Sequence, residues 1–522
     1  MTNALSATPS LRESWRADLP AALVVVLVAL PLCLGIALAS GAPLAAGIVS
    51  GVIGGIVVGV LSNSQLMVSG PAAGLTAIVF SGIASLGSFE QFLVAVVIGG
   101  LLQIAFSAMR AGVIGYYIPS AVIKGMLAAI GIILILKQIP HAVGFDADFE
   151  GDETFLQTNA QNTFSALGHQ LQQIQIGAVL IATLSLTVLI LWSRPAFKRL
   201  KVVPAPLVVV LLGISVNILF TRYWPELAIR STHLVSLPVA ERPSDWLTFF
   251  KFPEWSAIAS VATWRLGLTL AIVASLETLL SLEATDKMDP FKRESDTNRE
   301  LFAQGVGNTL SGLIGGLPIT GVVVRSAANI DAGARTRWSA IVHGTLLLVF
   351  VLAIPSLLNM IPLSALAAML LYTGFKLASP ALFRTSWSLG WSQFTPFVVT
   401  VIAIVMTDLL IGIGVGLAIA AFFILAQYLR QPALRVVSPK GAVLTRYQLP
   451  DQATFLSKAN IERTLSDLPD GSRIEIDGSN TARFDYDVLE QLHEFTETAK
   501  LRGIDYRLVN VPSAPTTPTH SH

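Results

Sequence analysis

The chain has 522 residues, of which 53% are hydrophobic and only 13% are Asp, Glu, Lys or Arg; soluble domains average roughly 25% charged residues. Thirty-four basic against thirty-three acidic side chains leave a net charge of +1, so no global basic excess exists to neutralise nucleic-acid phosphates. The lone cysteine, Cys33, excludes an intramolecular disulfide framework and a Cys-based zinc site.

The remaining class is an all-α polytopic membrane protein. After an inner N-terminus of residues 1–18, apolar stretches recur at about 19–39, 43–61, 66–86, 89–109, 113–137, 172–193 and 203–221. A second set follows at about 258–285, 299–315, 318–331, 338–358, 362–377, 393–408 and 409–429, giving fourteen segments over residues 19–429. Roughly 20 residues cross the hydrocarbon core, and several of these are shorter or interrupted. Ala37-Leu38-Ala39 imitates a signal-peptide cleavage site, but the run before it is longer than a typical h-region and another apolar segment follows at once.

Basic residues fall on one set of loops: Arg12 and Arg16, Arg110, Arg194 to Lys201, Lys287 to Arg299, Arg335 and Arg337, Lys376 and Arg384, Arg430 and Arg435. The short loops of the opposite set lack Lys and Arg. This bias expects both termini on the cytoplasmic side. Of the longer outer loops, 138–171 is acidic (Asp146, Asp148, Glu150, Asp152, Glu153) and reads as a solvated cap.

Residues 432–511 change character and read as a small α/β unit. Strands are expected at Ser472–Asp477 and Asp505–Val511, helices at Phe455–Leu468 and Asp487–Arg502, and a turn at Asp470-Gly471. The tail 512–522, rich in Pro, Ser and Thr, is expected to be disordered.

Two interrupted segments occupy matching places. Val68-Ser69-Gly70-Pro71-Ala72-Ala73-Gly74 breaks the third segment of the first seven, and Gly315-Gly316-Leu317-Pro318-Ile319-Thr320-Gly321 opens the third of the second seven. Corresponding broken helices are what an inverted repeat places around a substrate site, here with repeats at about 19–221 and 258–429. Pro suits the first turn of a helix, where the first N–H groups lack internal acceptors. Two such starts facing each other make a positive spot for an anion. The plainer alternative is that Gly and Pro only kink packed helices.

Arg325 lies about one turn into the tenth segment, where a buried cation needs a partner or a water-filled cavity. Glu277, midway along the eighth segment, is the natural carboxylate, and Ser281 shares its helix face at i+4. A structural ion pair without transport role is the competing reading of Glu277 and Arg325. Gly47, Gly51, Gly55 and Gly59 form a small-residue stripe explained by close helix packing. Lys124 reads as snorkelling, His343 as a packing histidine, and Asp331 and Asp408 as hydrated at segment ends. No GxxxxGK[ST] loop and no nucleophile–His–acid arrangement stands out, so neither ATP-driven pumping nor enzymatic catalysis is expected.

Gly305-Val306-Gly307-Asn308, Ser311-Gly312-Leu313-Ile314-Gly315-Gly316-Leu317-Pro318, Arg325-Ser326-Ala327-Ala328-Asn329 and Gly333-Ala334-Arg335-Thr336 resemble the SulP anion transporter family of sulfate permeases and bicarbonate transporters. Asp18-Leu19-Pro20, Leu30-Pro31 and Val122-Ile123-Lys124-Gly125 extend the resemblance over nearly the whole chain. The resemblance implies a seven-plus-seven inverted repeat with core and gate domains, a homodimer, a bacterial inner membrane and a C-terminal STAS domain. It places an anion at the N–H groups of Ala72, Ala73 and Gly74 and of Val322, Val323 and Val324, with Arg325 beside them. Glu277 and Ser281 fall where relatives hold a coupling cation, Na⁺ or H⁺, with Glu in proton-coupled members. Arg325 leans toward sulfate-type members, since cyanobacterial bicarbonate transporters lack it. Leu32, Val322, Val323 and Val324 replace side chains that are often polar, so the site depends on backbone donors plus Arg325. Phe484-Asp485-Tyr486 lacks the phosphorylated serine of anti-sigma-factor antagonists, and the STAS-like unit looks shortened.

The expected function is cation-coupled import of a small inorganic anion by alternating access. Sulfate, bicarbonate, chloride and small dicarboxylates all fit such a pocket. The alternatives are a nucleobase–cation symporter of the same architecture and an anion-binding protein without net transport.

Overall fold

The computed structural model describes residues 11–145, 174–194, 204–236, 250–430, 434–438 and 444–513. Most of the acidic loop, the basic residues Lys198, Arg199 and Lys201, and most of the C-terminal tail lie outside the described residues. The chain divides into two compact units, 1–420 and 421–522.

The first unit is helical: α1 (Leu11–Ala39), α2 (Leu44–Leu61), α3 (Ala73–Leu86), α4 (Phe89–Ala108), α5 (Ser120–Val143), α6 (Ile176–Trp192) and α7 (Ala205–Tyr223). It continues with α8 (Val261–Met288), α9 (Thr297–Ile314), α10 (Val323–Asp331), α11 (Trp338–Ala353), α12 (Leu363–Leu377), α13 (Pro380–Ser388), α14 (Trp391–Met406) and α15 (Leu409–Arg430), the last of which runs across the boundary between the units. Among the described residues, eight helices are long and apolar enough to cross a membrane, and four shorter apolar helices accompany them. Each of the fourteen segments read from hydropathy contains a helix. Among the described residues one α-helix escaped that reading: α13 falls in an expected loop, started by Pro380 in its first turn.

Side chains set several boundaries. Ser88 Oγ accepts the Gln91 N–H (3.1 Å) at the start of α4, and Asp296 accepts the N–H groups of Asn298 (2.9 Å) and Arg299 (3.1 Å) at the start of α9. Asp408, expected to be merely hydrated, accepts the Ile411 N–H (2.9 Å) at the start of α15. At the end of α2, the Leu61 carbonyl accepts from Arg299 Nε (3.0 Å) and the Ser62 carbonyl from Arg337 Nη1 (3.1 Å), so two cations sit at the negative end of that helix. Gly315 ends α9 in the left-handed region (φ 90°), which only glycine adopts freely, and so opens the Gly-Gly-Leu-Pro loop.

The small-residue stripe of α2 meets its neighbours backbone to backbone. A Cβ at Gly55 would lie 2.6 Å from the Gly344 Cα of α11, and one at Gly51 would lie 2.8 Å from Cys33 Sγ of α1. These contacts bring α1, α2 and α11 together around the two interrupted segments.

The interruptions are strands. β1 (Ser69–Pro71) and β2 (Ile319–Gly321) pair antiparallel, with Ser69 opposite Gly321, Gly70 opposite Thr320 and Pro71 opposite Ile319. Asn308 of α9 fixes β2 by imitating a further strand: its Oδ1 accepts the Ile319 N–H (2.5 Å) and its Nδ2 donates to the Ile319 carbonyl (2.9 Å) and to Gln103 Oε1 (2.7 Å). Ser50 and Ser311 hold the Leu317 peptide in the same manner, through the Leu317 N–H to Ser50 Oγ (2.6 Å) and Ser311 Oγ to the Leu317 carbonyl (2.7 Å). Asn308→Leu leaves both Ile319 groups buried without partners, which costs roughly 2–4 kcal/mol. A clear fall in Tm of the purified variant, beyond that of an exposed control such as Leu348→Ala, is the expected result.

In the second unit, β3 (Arg435–Val436), β4 (Thr445–Gln448), β6 (Arg473–Asp477) and β8 (Asp505–Val509) form one sheet in the order β3-β4-β6-β8. β3 is antiparallel to β4, whereas β4, β6 and β8 are parallel. A separate pair joins β5 (Gln452–Ala453) to β7 (Arg483–Phe484). The helices α16 (Lys458–Ser466) and α17 (Tyr486–Leu501) bury Ile461, Leu465, Val488 and Leu492 with Ile474 and Ile476 of the sheet. The expected strands and helices are β6, β8, α16 and α17, and the expected turn places Gly471 at φ 73°. The sheet has more strands than the sequence pattern distinguishes, because β3 and β4 are short and carry little apolar alternation.

Candidate site at the paired helix starts

Antiparallel pairing decides how the two interrupted segments meet. The chain leaves β1 at Pro71 to enter α3 and leaves β2 at Gly321 to enter α10, so the two helices start from opposite ends of one ribbon. At about 3.4 Å per residue, a three-residue ladder puts those starts on the order of 10 Å apart. Their positive ends therefore face the same small space.

The donors at each start can be counted. In α3 the first internal bond is the Leu75 N–H to the Ala72 carbonyl (3.4 Å), which leaves the N–H groups of Ala73 and Gly74 ahead of it. Ala72 itself is the extended residue that caps this turn. In α10 the first bond is the Ser326 N–H to the Val322 carbonyl (3.0 Å), which leaves Val323, Val324 and Arg325 ahead of it. Val322 departs from the sequence expectation: its N–H already donates to the Val68 carbonyl (2.9 Å), so the ladder consumes that donor. No side chain caps either helix start.

Arg325 is fully buried. Its guanidinium lies against the backbone of β1, where a Cβ at Gly70 would overlap Nη1. Nη2 donates to Cys33 Sγ of α1 (3.4 Å), whereas Nε and Nη1 have no hydrogen-bond partner among the described residues. The charge thus points into the ribbon between the helix starts and away from lipid. His343 of α11 is fully buried within electrostatic reach of Arg325, and its ring nitrogens have no hydrogen-bond partner among the described residues.

Glu277 meets the other helix start. A Cβ at Gly74 would lie 3.2 Å from both carboxylate oxygens of Glu277, so the acid sits directly against the first turn of α3. Ser281, one turn on along α8, is buried at 3% exposure. Between them Thr278 Oγ1 accepts the Gly321 N–H (3.3 Å) and ties α8 to the end of β2. Ser326 completes the frame: its Oγ accepts the Val68 N–H (3.0 Å) and donates to the Val322 carbonyl (2.8 Å). The structure thus brings Ala72, Ala73, Gly74, Val323, Val324, Arg325 and Glu277 around one ribbon. Cys33, Thr278, Asn308 and Ser326 carry roles that the sequence reading did not assign.

Beyond α10 the chain is also clamped. Asp18 of α1 accepts the Arg335 N–H (2.7 Å), the Thr336 N–H (3.1 Å) and the Thr336 hydroxyl (2.5 Å). Asp331, at the far end of α10, pairs with Lys376 of α12 (3.2 Å) instead of standing alone in water. Ala328 and Asp331 line a cavity of about 500 Å³ bounded by Pro20, Trp192, Pro206 and Tyr372. One short helix therefore links the ribbon at its start to this cavity at its end.

Helices in number sufficient for a polytopic membrane protein, broken at a pair of facing starts and followed by a small α/β unit, define a class of membrane carrier fold. A model of the sulfate permease family matches residues 15–416, and the chain belongs to that family. It is 29% identical over 370 residues to YvdB of Bacillus subtilis, covering 70% of this chain and 66% of that one. To the bicarbonate transporter BicA of Synechocystis it is 27% identical over 360 residues, covering 68% and 60%. The alignments thus span less than two thirds of these relatives' own length. The structure of the murine anion transporter Slc26a9 in its inward-facing state shares the fold over 97% of this chain and 87% of that one (TM-score 0.65, 15% identity).

Proposed function

We propose that this protein moves a small inorganic anion of the sulfate or bicarbonate class across the membrane by cation-coupled secondary transport. The observation that carries the reading is the juxtaposition of two uncapped helix starts with the buried guanidinium of Arg325, whose Nε and Nη1 have no hydrogen-bond partner among the described residues. An unsatisfied buried cation costs several kcal/mol, and a dehydrated anion that also takes the N–H groups of Ala73, Gly74, Val323 and Val324 offsets that cost.

In this reading Glu277 and Ser281 bind the coupling cation, H⁺ or Na⁺. Glu277 lies against Gly74 at the α3 start, whereas the guanidinium lies against Gly70 of β1. An ionised carboxylate there competes for the same positive helix end that attracts the anion, and neutralising it opens that end to substrate. In the same reading there are fourteen crossings in a seven-plus-seven arrangement, in keeping with the family and the fold shared with murine Slc26a9, and with them a homodimer and inner-side termini. The cavity bounded by α1, α6, α7, α10 and α12 supplies an approach from one face.

The test is uptake of labelled sulfate, bicarbonate, chloride and fumarate into proteoliposomes under imposed pH and Na⁺ gradients. Saturable, gradient-driven accumulation of one or more of them is expected. Absence of accumulation with every anion and either gradient rejects the reading, and uracil uptake in its place would identify a nucleobase carrier.

A further inference from the structure

Glu300 is fully buried near the start of α9, and the mechanism above does not use it. Its carboxylate has only neutral partners: Oε2 accepts from the Ser62 hydroxyl, and Oε1 accepts from Gln304 Nε2 (2.9 Å). Among the described residues no Lys or Arg lies within ion-pair distance of it. The guanidinium of Arg299, whose charge acts on Glu300, is spent on the Leu61 carbonyl, and that of Arg337 on the Ser62 carbonyl. The other charge that acts on Glu300 is the acid Asp286 from α8.

The surroundings offer a way in and a way on. Asp286, Lys287, Arg293 and Thr297 line a cavity of about 350 Å³ at the end of α8 and the start of α9. Thr297 precedes Glu300 by three residues, hence on a neighbouring part of the helix face. Its hydroxyl is buried with no partner among the described residues, a place suited to an ordered water between cavity and acid. One turn beyond Glu300, Gln304 Nε2 also donates to Ser69 Oγ (2.7 Å). Ser69 begins β1 and precedes Gly70, against which the Arg325 guanidinium lies.

We propose that Glu300 is a second proton-binding site, filled from the cavity at Asp286, whose charge state is passed through Gln304 to the β1 strand. Binding transfers one proton from a hydronium ion in the cavity, which is left as water, onto Oε2. The Ser62 hydroxyl, until then the donor, turns to accept, and no other bond is made or broken. The ionised carboxylate draws the Gln304 amide strongly, because hydrogen bonds to charged acceptors are about twice as strong as neutral ones. The protonated acid relaxes that pull and leaves more of the amide to Ser69. Burial and the charge of Asp286 oppose ionisation, whereas the hydrogen bonds from Ser62 and Gln304 and the charge of Arg299 favour it, so neither state is fixed by its surroundings. The link to β1 rests on the proposed anion site; the proton site itself does not.

Infrared difference spectra of the purified full chain between acid and alkaline buffer test the proton site directly. A titrating protonated-carboxyl band is expected in the native protein, lost in Glu300→Gln and kept in Glu277→Gln. Ser62→Ala retains the acid but removes the donor that favours its ionised form, so the band's midpoint moves to higher pH, and this holds as a check if Glu300→Gln folds poorly. A Glu300→Gln spectrum that keeps every titrating band, or a Ser62→Ala midpoint that does not move, overturns the proposal. Proton release or uptake on adding sodium sulfate or sodium bicarbonate in weak buffer tests the link: it is expected to fall by one proton per chain in Glu300→Gln, and an unchanged stoichiometry overturns the link. If the native protein exchanges no protons with either anion while the band is still lost in Glu300→Gln, the proton site stands and the link to β1 fails; the anion reading itself is decided by the uptake assay.

Discussion

Arg325→Ala is expected to weaken anion binding by roughly 10- to 150-fold, the range that corresponds to the 1.5–3 kcal/mol of a charged hydrogen bond. The guanidinium is the side-chain charge in the first turn of α10, and Val322, Val323 and Val324 supply no polar side chain to replace it. Backbone donors remain at both helix starts, so binding is weakened and not erased. Arg325→Lys should recover only part of the loss, because an ammonium lacks the planar fork that faces both Cys33 and the substrate space.

A second variant separates charge from position. Gly70→Ala keeps the arginine, but the new methyl group occupies the place of Nη1 and forces the guanidinium out of the ribbon. It is expected to mimic Arg325→Ala in anion affinity. Saturation uptake curves, with surface expression and Tm measured alongside, decide the matter. Native-like affinity in Gly70→Ala with a loss in Arg325→Ala means that the charge acts from a distance, and native-like affinity in both means the pocket lies elsewhere.

Hydropathy and turn chemistry made most of the first unit legible. Each apolar run became a helix because only a helix satisfies its own backbone in hydrocarbon, and the Ser69–Pro71 and Ile319–Gly321 breaks were visible as Gly and Pro in matching places. Their pairing as a ribbon was not visible. It joins residues about 250 positions apart, and three-residue strands carry no alternation to read. The same distance hid the Val68–Val322 bond that removes one expected donor, and the Ser62–Glu300 contact at a separation of 238 residues. Asn308 illustrates the limit well. It is one polar residue on a helix of mixed composition, and only the fold shows it completing the edge of β2. In the second unit, β6 was readable from Arg-Ile-Glu-Ile-Asp alternation, whereas β4 was not, since Thr-Arg-Tyr-Gln has no comparable apolar run.

Glu277→Gln is expected to separate anion movement from the cation gradient. In the native chain the carboxylate stands against Gly74 at the start of α3, where an ionised acid is favoured by the helix dipole and repels an arriving anion. On the proposed mechanism, proton or Na⁺ binding removes the repulsion, so anion and cation raise each other's affinity by the same factor, roughly 5- to 150-fold for couplings of 1–3 kcal/mol. Glutamine holds a similar volume in the neutral state permanently. Anion binding should then lose its dependence on the cation, and exchange of internal for external anion should continue. Accumulation against an anion gradient should disappear, because no cation is any longer carried with it. Counterflow and accumulation, measured in the same proteoliposomes with and without a pH or Na⁺ gradient, resolve these outcomes. Loss of both fluxes points to Glu277 as a structural member of the ribbon. Accumulation at the native level shows that coupling runs through another group, for which the acid buried at position 300 is the next candidate.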